Sequence, residues 1–153
     1  MVRRSFWSIL GLLSGAAVTA MAAAQRKVRG KQFLNPGAKP PGYSNVVTSP
    51  PGRMVFVSGQ GGQGADGQLP PDFETQADNT FKNIGRCLQL AGVEFKDIVK
   101  INYYLTDISN LTKLRQVRQK YLNMDAPPAS TAVSSGLSGG MLVEIECIAV
   151  APE

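Results

Sequence analysis

The chain has 153 residues, of which 43% are hydrophobic and 18% are charged, and it contains no histidine and two cysteines. This length and composition are typical of one globular domain with a single core. The lack of histidine excludes a His-ligated zinc site and a Ser-His-Asp triad. Cys87 and Cys147 are too few for a disulfide framework and fall at apolar positions, so the sequence predicts two buried free thiols.

The formal net charge of +5 is distributed unevenly along the chain. Residues 1–65 carry eight basic and no acidic residues, whereas residues 66–153 carry eight basic and eleven acidic residues. The basic excess therefore belongs to the N-terminal part and not to the body of the domain. This disfavours a nucleic-acid partner, because nucleic-acid binding requires basic residues clustered on a folded face.

The N-terminal segment predicts a signal peptide over residues 1–24. Arg3 and Arg4 precede an apolar stretch at 6–18 that is short for a membrane anchor, and A-x-A cleavage patterns follow it. The arginine pair also resembles a twin-arginine motif. We expect a periplasmic or secreted protein with no stable membrane insertion after cleavage. An uncleaved anchor and an organelle transit peptide are the alternatives.

Residues 25–39 are basic and contain Gly and Pro, which predicts a flexible arm, and residues 40–153 are expected to form the folded domain. The arm is interpreted as a solvated tail, with a membrane-surface or nucleic-acid role as the alternative.

Two strands and a glycine-rich loop are predicted at the start of the domain. Residues 43–48 and 53–58 predict strands, joined into a hairpin by the turn Ser-Pro-Pro-Gly at 49–52. The following loop at 59–71 contains G-Q-G-G-Q-G but lacks the Lys-Ser/Thr of a P-loop. No strand–glycine–helix unit of dinucleotide-binding spacing follows, so no nucleotide site is predicted.

Two amphipathic helices are predicted. Apolar residues recur at three- and four-residue steps over 73–91, acidic residues cluster at the N-terminal end, and Gly92 follows as a stop. The second helix begins near Ser109, which suits an N-cap. Its expected buried residues are Leu111, Leu114, Val117 and Tyr121, and its expected solvated residues are Lys113, Arg115, Arg118 and Lys120.

Three further strands are predicted. Residues 97–106 are apolar and aromatic on both faces, which is typical of a central strand. Residues 129–133 and 141–150 lie on either side of a glycine-containing loop and predict a second hairpin. In the last strand Glu144 and Glu146 share an otherwise apolar face, which suits either a solvated edge or a carboxylate that lines a pocket.

The predicted order is β-β-α-β-α-β-β, an α+β fold in which a mixed β-sheet carries two helices packed on one face. The other face of the sheet is expected to be apolar and to need a cover, which association of subunits would provide. The candidate residues on that face are Val99, Ile101, Leu142 and Ile148.

Five stretches of the chain together resemble one known family. They are P-G-Y-S-N-V-V at 41–47, V-F-V-S-G-Q at 55–60, D-I-V-K-I-N-Y-Y-L-T-D at 97–107, P-P-A-S-T-A-V at 127–133 and L-V-E-I-E-C-I-A-V at 142–150. In order and spacing they resemble the Rid (reactive intermediate deaminase, or YjgF) family over about residues 35–151. The resemblance implies a homotrimer of chorismate-mutase-like subunits, with the sheets forming a central barrel and a small-molecule cleft at each subunit interface.

The resemblance also implies the residues of a cleft that binds a small 2-imino acid. Glu144 matches the glutamate that positions or activates the attacking water, and Tyr43 matches a tyrosine that closes the pocket. Ser58 and Gly59 match a segment whose backbone lines the cleft. Members that hydrolyse imines hold the substrate carboxylate with an arginine in the pattern P-A-R-S, and here Ala129 stands at the position of that arginine.

The missing arginine would have supplied a charge-assisted pair worth roughly 1.5–3 kcal/mol. Ser130, Thr131 and backbone N–H groups remain as donors, and they suit a neutral polar ligand or a weakly held anion. Arg53 or a residue of the arm is an alternative source of positive charge.

Two functions are consistent with these residues, and neither requires a cofactor or a metal. The first is an exported, deaminase-like hydrolase of small imines, enamines or related C–N metabolites, with Glu144 activating water. The second is a non-catalytic trimeric protein that binds a small metabolite. Endoribonuclease activity is disfavoured by the lack of histidine and by the acidic body.

Overall fold

The computed structural model describes residues 30–153, so the expected signal peptide and the start of the expected arm lie outside the described residues. In this part of the chain no helix is long and apolar enough to cross a membrane. The elements are β1 (Gln32–Leu34), β2 (Val46–Thr48), β3 (Arg53–Gln60), α1 (Phe73–Leu90), β4 (Ile98–Leu105), α2 (Leu111–Arg118), β5 (Ala129–Ser134) and β6 (Val143–Ala151), with short 3-10 helices at Phe95–Asp97 and Ile108–Asn110.

The main sheet has four strands in the order β3-β6-β4-β5. β6 lies between β3 and β4 and is antiparallel to both, whereas β4 and β5 are parallel. The connection from β4 through α2 to β5 is the kind of crossover that parallel neighbours require. Both helices pack on one face of this sheet, so the predicted mixed sheet with two helices on one face is confirmed.

Both predicted hairpins are wrong. β2 pairs with β1, where Phe33 lies opposite Val47, and β5 pairs with β4 instead of with β6. Every second residue of β6 is buried, and the strand is nine residues long. An interior position satisfies the backbone groups on both edges of this long buried strand. β1 also forms within the segment expected to be a flexible arm, because β2 finds its partner there.

The core lies between α1 and β6. The predicted apolar stripe of α1 is confirmed, since its inward residues are each at most 4% exposed: Phe73, Ala77, Phe81, Ile84 and Leu88. They pack in one cluster with the inward residues of β6, which are Val143, Ile145, Cys147 and Ala149. The ring of Tyr121 stacks on Phe81 at 4.9 Å between centroids. Asp72 caps α1 by accepting a hydrogen bond from the Thr75 backbone N–H at 2.8 Å.

The face of the sheet away from the helices is partly apolar and partly polar. Ile101 was expected on this open face but is fully buried on the helix side. The pairing of β4 with β6 shifts register between Ile98 and Lys100, and this shift changes which residues face the helices. The open face instead exposes Phe56 at 70%, Met54 at 55% and Val133 at 41%.

The start and the end of α2 differ from the sequence-based expectation. Asn110 is the N-cap of α2 and makes no side-chain cap hydrogen bond. Asp107 caps the preceding 3-10 helix, where its carboxylate accepts hydrogen bonds from the backbone N–H and the hydroxyl of Ser109 at 2.8 and 2.7 Å, so Ser109 is not the cap. Arg118, expected on a solvated face, is only 6% exposed. It follows the buried Leu114 by four residues and therefore lies on the same side of the helix.

Candidate functional site

The carboxylate of Glu144 lies directly against the backbone of Gly59. A Cβ at residue 59 would lie 2.7 Å from Cδ and 3.1 Å from Cγ of Glu144, so a larger residue there would displace this carboxylate. The approach occurs where the pairing of β3 with β6 shifts register between Val57 and Gln60. The structure therefore places Glu144 beside Gly59 at the end of β3.

Glu144 and Glu146 lie on the same face of β6 but have different surroundings. Glu146 accepts hydrogen bonds from Asn102 Nδ2 at 2.9 Å and from Tyr104 Oη at 2.7 Å. These two bonds lower the pKa of Glu146 below its ordinary value. Among residues 30–153 no side chain donates a hydrogen bond to Glu144. Glu146 is thus held as part of the sheet, whereas the half-buried Glu144 retains oxygens that can accept from a water or a ligand.

A second group of predicted site residues lies at the outer edge of β5. The Ser44 backbone N–H donates to Pro128 O at 3.3 Å, and its hydroxyl donates to Pro127 O at 2.8 Å. This pairing joins the segment after Tyr43 to Ala129 as a parallel bridge. Tyr43 is half-buried beside it. Tyr43 and Ala129 are therefore neighbours on one edge of the domain.

Ser130 and Thr131 point to opposite faces of the sheet, because successive side chains of a strand alternate. Thr131 pairs with Asn102 and accepts a hydrogen bond from Lys100 Nζ at 2.7 Å, so it belongs to the open face. Ser130 pairs with the fully buried Ile101 and belongs to the helix side. The two predicted donors consequently do not bind one ligand from the same side.

Within one chain, the two groups of site residues lie far apart. Glu144 pairs with Tyr104 and Ala129 pairs with Lys100, so the two site residues are offset by four residues along β4. Ala129 lies on β5, which is two strands away from β6, the strand of Glu144. At about 3.3 Å per residue and about 4.8 Å per strand, this places Ala129 roughly 16 Å from Glu144. A ligand as small as an imino acid cannot touch both in a single subunit. A site that unites them requires a second copy of the chain.

Among residues 30–153, the alternative cations Arg53 and Lys39 both make hydrogen bonds away from Ala129. Arg53 donates to Ala91 O at 2.7 Å, at the end of α1. Lys39 is the basic residue of the expected arm that precedes the stretch at 41–47 most closely in sequence. It donates to Met124 O and Asp125 O at 2.9 and 2.8 Å. Both cations therefore hold backbone carbonyls.

The glycine-rich loop after β3 is packed on α1. Asn83 Nδ2 donates to Gly61 O at 2.8 Å and Gln63 O at 3.1 Å, and Asn79 Nδ2 donates to Gly62 O at 3.1 Å. The loop thus directs its carbonyls to the helix.

The cysteines do not form a reactive site. Cys147 is buried and Cys87 is half-buried, and both are free thiols. Burial raises the pKa of Cys147 to about 12, which keeps it as the unreactive thiol at neutral pH. The described part of the chain contains no cluster of three or more residues that could hold a metal ion.

Sequence reasoning missed four polar residues around the site: Lys100, Asn102, Tyr104 and Arg118. The first three were read as part of a strand buried on both faces. The signal that could have identified Arg118 is its spacing, because it continues the stripe of Leu111 and Leu114 at helical steps.

Comparisons with known proteins agree with this geometry. The family model described as Endoribonuclease L-PSP matches residues 36–151. The mitochondrial protein mmf2 of Schizosaccharomyces pombe is 34% identical over 111 residues, which are 70% of this chain and 86% of mmf2. The human protein named 2-iminobutanoate/2-iminopropanoate deaminase is 31% identical over 117 residues, which are 75% of this chain and 83% of the human protein.

Two solved structures share the fold. YyfB of the Rid protein family from Yersinia pestis superposes with a TM-score of 0.69 at 26% identity, covering 80% of this chain and 99% of YyfB. Escherichia coli TdcF, solved with bound serine, superposes with a TM-score of 0.62 at 30% identity, covering 79% of this chain and 96% of TdcF. With its family motifs, its mixed sheet under two helices and these relatives, the chain belongs to the Rid (YjgF) family.

Proposed function

We propose that this protein is a deaminase-like hydrolase of small imines, which acts in a cleft between two copies of the chain. The observation that carries the proposal is the carboxylate of Glu144, which lies against Gly59 and receives no hydrogen bond from another side chain of the described residues. A carboxylate of this kind can accept a proton from water. The human relative named as an imine deaminase supports the choice of reaction.

The proposed reaction adds water to a carbon–nitrogen double bond. Glu144 accepts a hydrogen bond from a water molecule and takes its proton as the water oxygen attacks the imine carbon. The electron pair of the double bond moves to nitrogen, and Glu144 delivers to that nitrogen the proton it took from water, which gives the carbinolamine. Glu144 then accepts the proton of the carbinolamine hydroxyl as the carbon–nitrogen bond breaks and passes it to the leaving nitrogen, so that ammonia departs and the 2-oxo compound remains.

We propose that the cleft forms in a homotrimer. One copy supplies Glu144 and Gly59, and the next supplies the edge with Tyr43 and Ala129, because one chain holds these groups roughly 16 Å apart by strand geometry. The exposed Phe56 and Met54 on the open face support association, since soluble domains seldom leave such side chains uncovered.

The alternative is a trimer that binds a small metabolite without catalysis. The observation that favours it is Ala129, which offers neither charge nor donor where imine-hydrolysing relatives would place an arginine. TdcF, solved with bound serine, shows that a relative of this fold holds an amino acid.

The deciding experiment measures ammonia release from 2-iminopropanoate and 2-iminobutanoate, generated in place by a second enzyme. We expect the wild-type protein to accelerate hydrolysis and Glu144→Gln to lose at least about a hundredfold in kcat. Glu146→Gln is the matched control, because the same substitution two residues along the same face removes a carboxylate that is already hydrogen-bonded. No acceleration by the wild-type protein would overturn the hydrolase proposal and favour the binding protein.

We also propose that the chain is exported and that residues 1–24 are removed. The basic start, the short apolar stretch and the A-x-A patterns support this. Cell fractionation of the full-length chain and of a chain that begins at residue 25 tests it, since full-length protein in the cytoplasm would overturn it.

A further inference from the structure

Gln76 is a buried amide of α1 whose hydrogen bonds leave the helix. The residue is 1% exposed and is one of two polar residues among the buried residues of α1. The other is Thr80, whose hydroxyl donates to Gln76 O at 2.8 Å within the helix. A buried amide side chain needs partners for both its oxygen and its nitrogen. Gln76 finds these partners in two segments that flank Glu144.

The first segment is the stretch of backbone that leads into β6. Gln76 Oε1 accepts a hydrogen bond from the Leu142 N–H at 2.8 Å, and Nε2 donates to Gly140 O at 3.4 Å. The carbonyl of Leu142 is held as well, because it accepts a hydrogen bond from the Thr106 backbone N–H at 3.2 Å. Hydrogen bonds therefore fix the backbone on both sides of Leu142, two residues before Glu144.

The second segment is the glycine-rich loop that follows β3. Gln76 Nε2 donates to Pro70 O at 2.7 Å. A Cβ at Gly62 would lie 2.6, 2.7 and 2.8 Å from Cβ, Cα and O of Gln76, so the backbone of the loop rests directly on the helix at this point. Gly62 follows Gly59 by three residues, and Gly59 lies against Glu144. The same residue thus holds the loop on the other side of the carboxylate.

The two segments also contact each other. A Cβ at Gly61 would collide with Sδ of Met141, and a Cβ at Gly140 would lie 3.5 Å from Cδ2 of Leu69. Both segments are therefore packed together beside Gln76, and a shift of either one changes the position of the other.

Gln76 acts on the candidate site from behind the sheet. Val143 and Ile145 are fully buried on the helix side, so Glu144 between them points to the open face. Gln76 lies on α1, on the opposite side of the sheet. It can influence the carboxylate only through the backbone of the two segments.

We propose that Gln76 is a positioning residue for imine hydrolysis, because its hydrogen bonds to the two segments set the place of the Glu144 carboxylate beside Gly59. The catalytic part of this inference rests on the proposed function, whereas the positioning part rests on the contacts of Gln76. Catalytic groups need support of this kind, since a misplacement of about 1 Å can reduce the rate by about a hundredfold.

Gln76→Met tests the proposal, because methionine is similar in length and lacks the amide donors and acceptor. We expect kcat for 2-iminopropanoate hydrolysis to fall by about tenfold or more, while KM changes by less than about threefold. Ile84→Val is the control for loss of stability, since Ile84 is fully buried on the same helix and makes none of these hydrogen bonds. It should lower the Tm and leave kcat at the wild-type value.

A double variant separates positioning from a general weakening of the fold. Glu144→Gln already lacks the carboxylate, so the addition of Gln76→Met should reduce its residual kcat no further. A purely structural role would reduce the residual kcat of Glu144→Gln by the same factor as the kcat of the wild type. Such additive losses would overturn the proposal.

Gly62→Ala moves the loop away from α1 and leaves the amide of Gln76 in place, so it decides the question even if Gln76→Met does not fold. We expect it to lower kcat by about tenfold or more, again with no further loss in Glu144→Gln. Gly136→Ala is its control, because a Cβ at Gly136 meets nothing within 4 Å. Wild-type kcat in Gly62→Ala would overturn the proposal.

Amide hydrogen exchange at Leu142 tests the positioning part independently of the reaction. Relative to the N–H of Ile145 inside β6, the N–H of Leu142 should exchange at least about tenfold faster in Gln76→Met than in the wild type. An unchanged ratio would overturn the proposal even if the wild-type protein hydrolyses imines. Faster exchange at Leu142, found together with no imine hydrolysis by the wild type, would instead overturn the hydrolase function alone.

Discussion

The side chain of Glu144 fills the space that any side chain at residue 59 would need. Gly59→Ala therefore forces the carboxylate away from its position on the sheet. We predict that this substitution lowers kcat for imine hydrolysis by about a hundredfold, because displacement of a catalytic group by about 1 Å has an effect of that size. Ammonia release measures the change.

The control for this prediction is Gly37→Ala, since a Cβ at Gly37 meets nothing within 4 Å. Its activity and its Tm should equal those of the wild type. Wild-type activity in Gly59→Ala would show that the position of Glu144 beside Gly59 has no part in catalysis.

The open face of the sheet should be a subunit interface. Phe56 is 70% exposed on that face, and we predict that Phe56→Asp produces a monomer because burying an aspartate there is unfavourable. Light scattering after gel filtration gives the mass. Leu90 is 90% exposed at the end of α1, and Leu90→Asp should leave the mass unchanged. Equal masses for all three proteins would place the interface elsewhere.

Asp78 should make stability depend on acid pH. Burial alone would raise its pKa, but hydrogen bonds from Lys82, Tyr121 and Lys120 outweigh burial and lower the pKa from 3.8 to about 2. A carboxyl whose pKa is lower in the folded state stabilises the fold above the unfolded pKa, and this contribution is lost as the pH falls towards the folded pKa.

Asp78→Asn should therefore be less stable than the wild type at pH 7 by on the order of 1 kcal/mol, a value reduced for solvent screening. Near pH 2, where Asp78 is about half protonated in the folded state, most of the difference should be lost. Urea unfolding at both pH values measures it. A difference of equal size at both pH values would contradict the assignment to the charge of Asp78.

The core between α1 and β6 should tolerate little loss of volume. Ile145 is fully buried, and Ile145→Ala is predicted to lower the free energy of unfolding by about 2–5 kcal/mol. Leu90→Ala, at the 90% exposed position, should change it by less than about 0.5 kcal/mol. Equal effects in urea unfolding would contradict the packing of β6 against α1.

The sequence predicts which residues face the core better than it predicts which strands are neighbours. The helical spacing of Phe73 to Leu88 and the alternation of Val143 to Ala149 both indicate the buried faces found in the structure. Which strands hydrogen-bond to each other depends on contacts between segments that are distant in sequence, and a local residue pattern does not predict such contacts. For that reason the sequence pattern favours a hairpin of β5 with β6, whereas β5 lies beside β4.

Local irregularities and charge explain the other differences. The register shift before Lys100 moves Ile101 to the helix side, and a pattern of strict alternation does not anticipate it. Arg118 has the spacing of a buried residue, but its charge favoured the solvated interpretation. The residues of the candidate site came from the family resemblance, and their distribution over two edges became visible only in the folded chain.

The most direct test of a site shared between two copies mixes two inactive variants. Glu144→Gln removes the carboxylate, and Tyr43→Asp places a competing negative charge on the opposite edge. Each alone should be inactive in ammonia release from 2-iminopropanoate. The two variants are mixed in equal amounts, dissociated into subunits and allowed to reassociate. About one quarter of the clefts should then contain an intact Glu144 from one subunit and an intact Tyr43 from the next, so the mixture should regain about one quarter of the wild-type activity. Mixed oligomers that form but remain inactive would contradict a cleft built from two subunits.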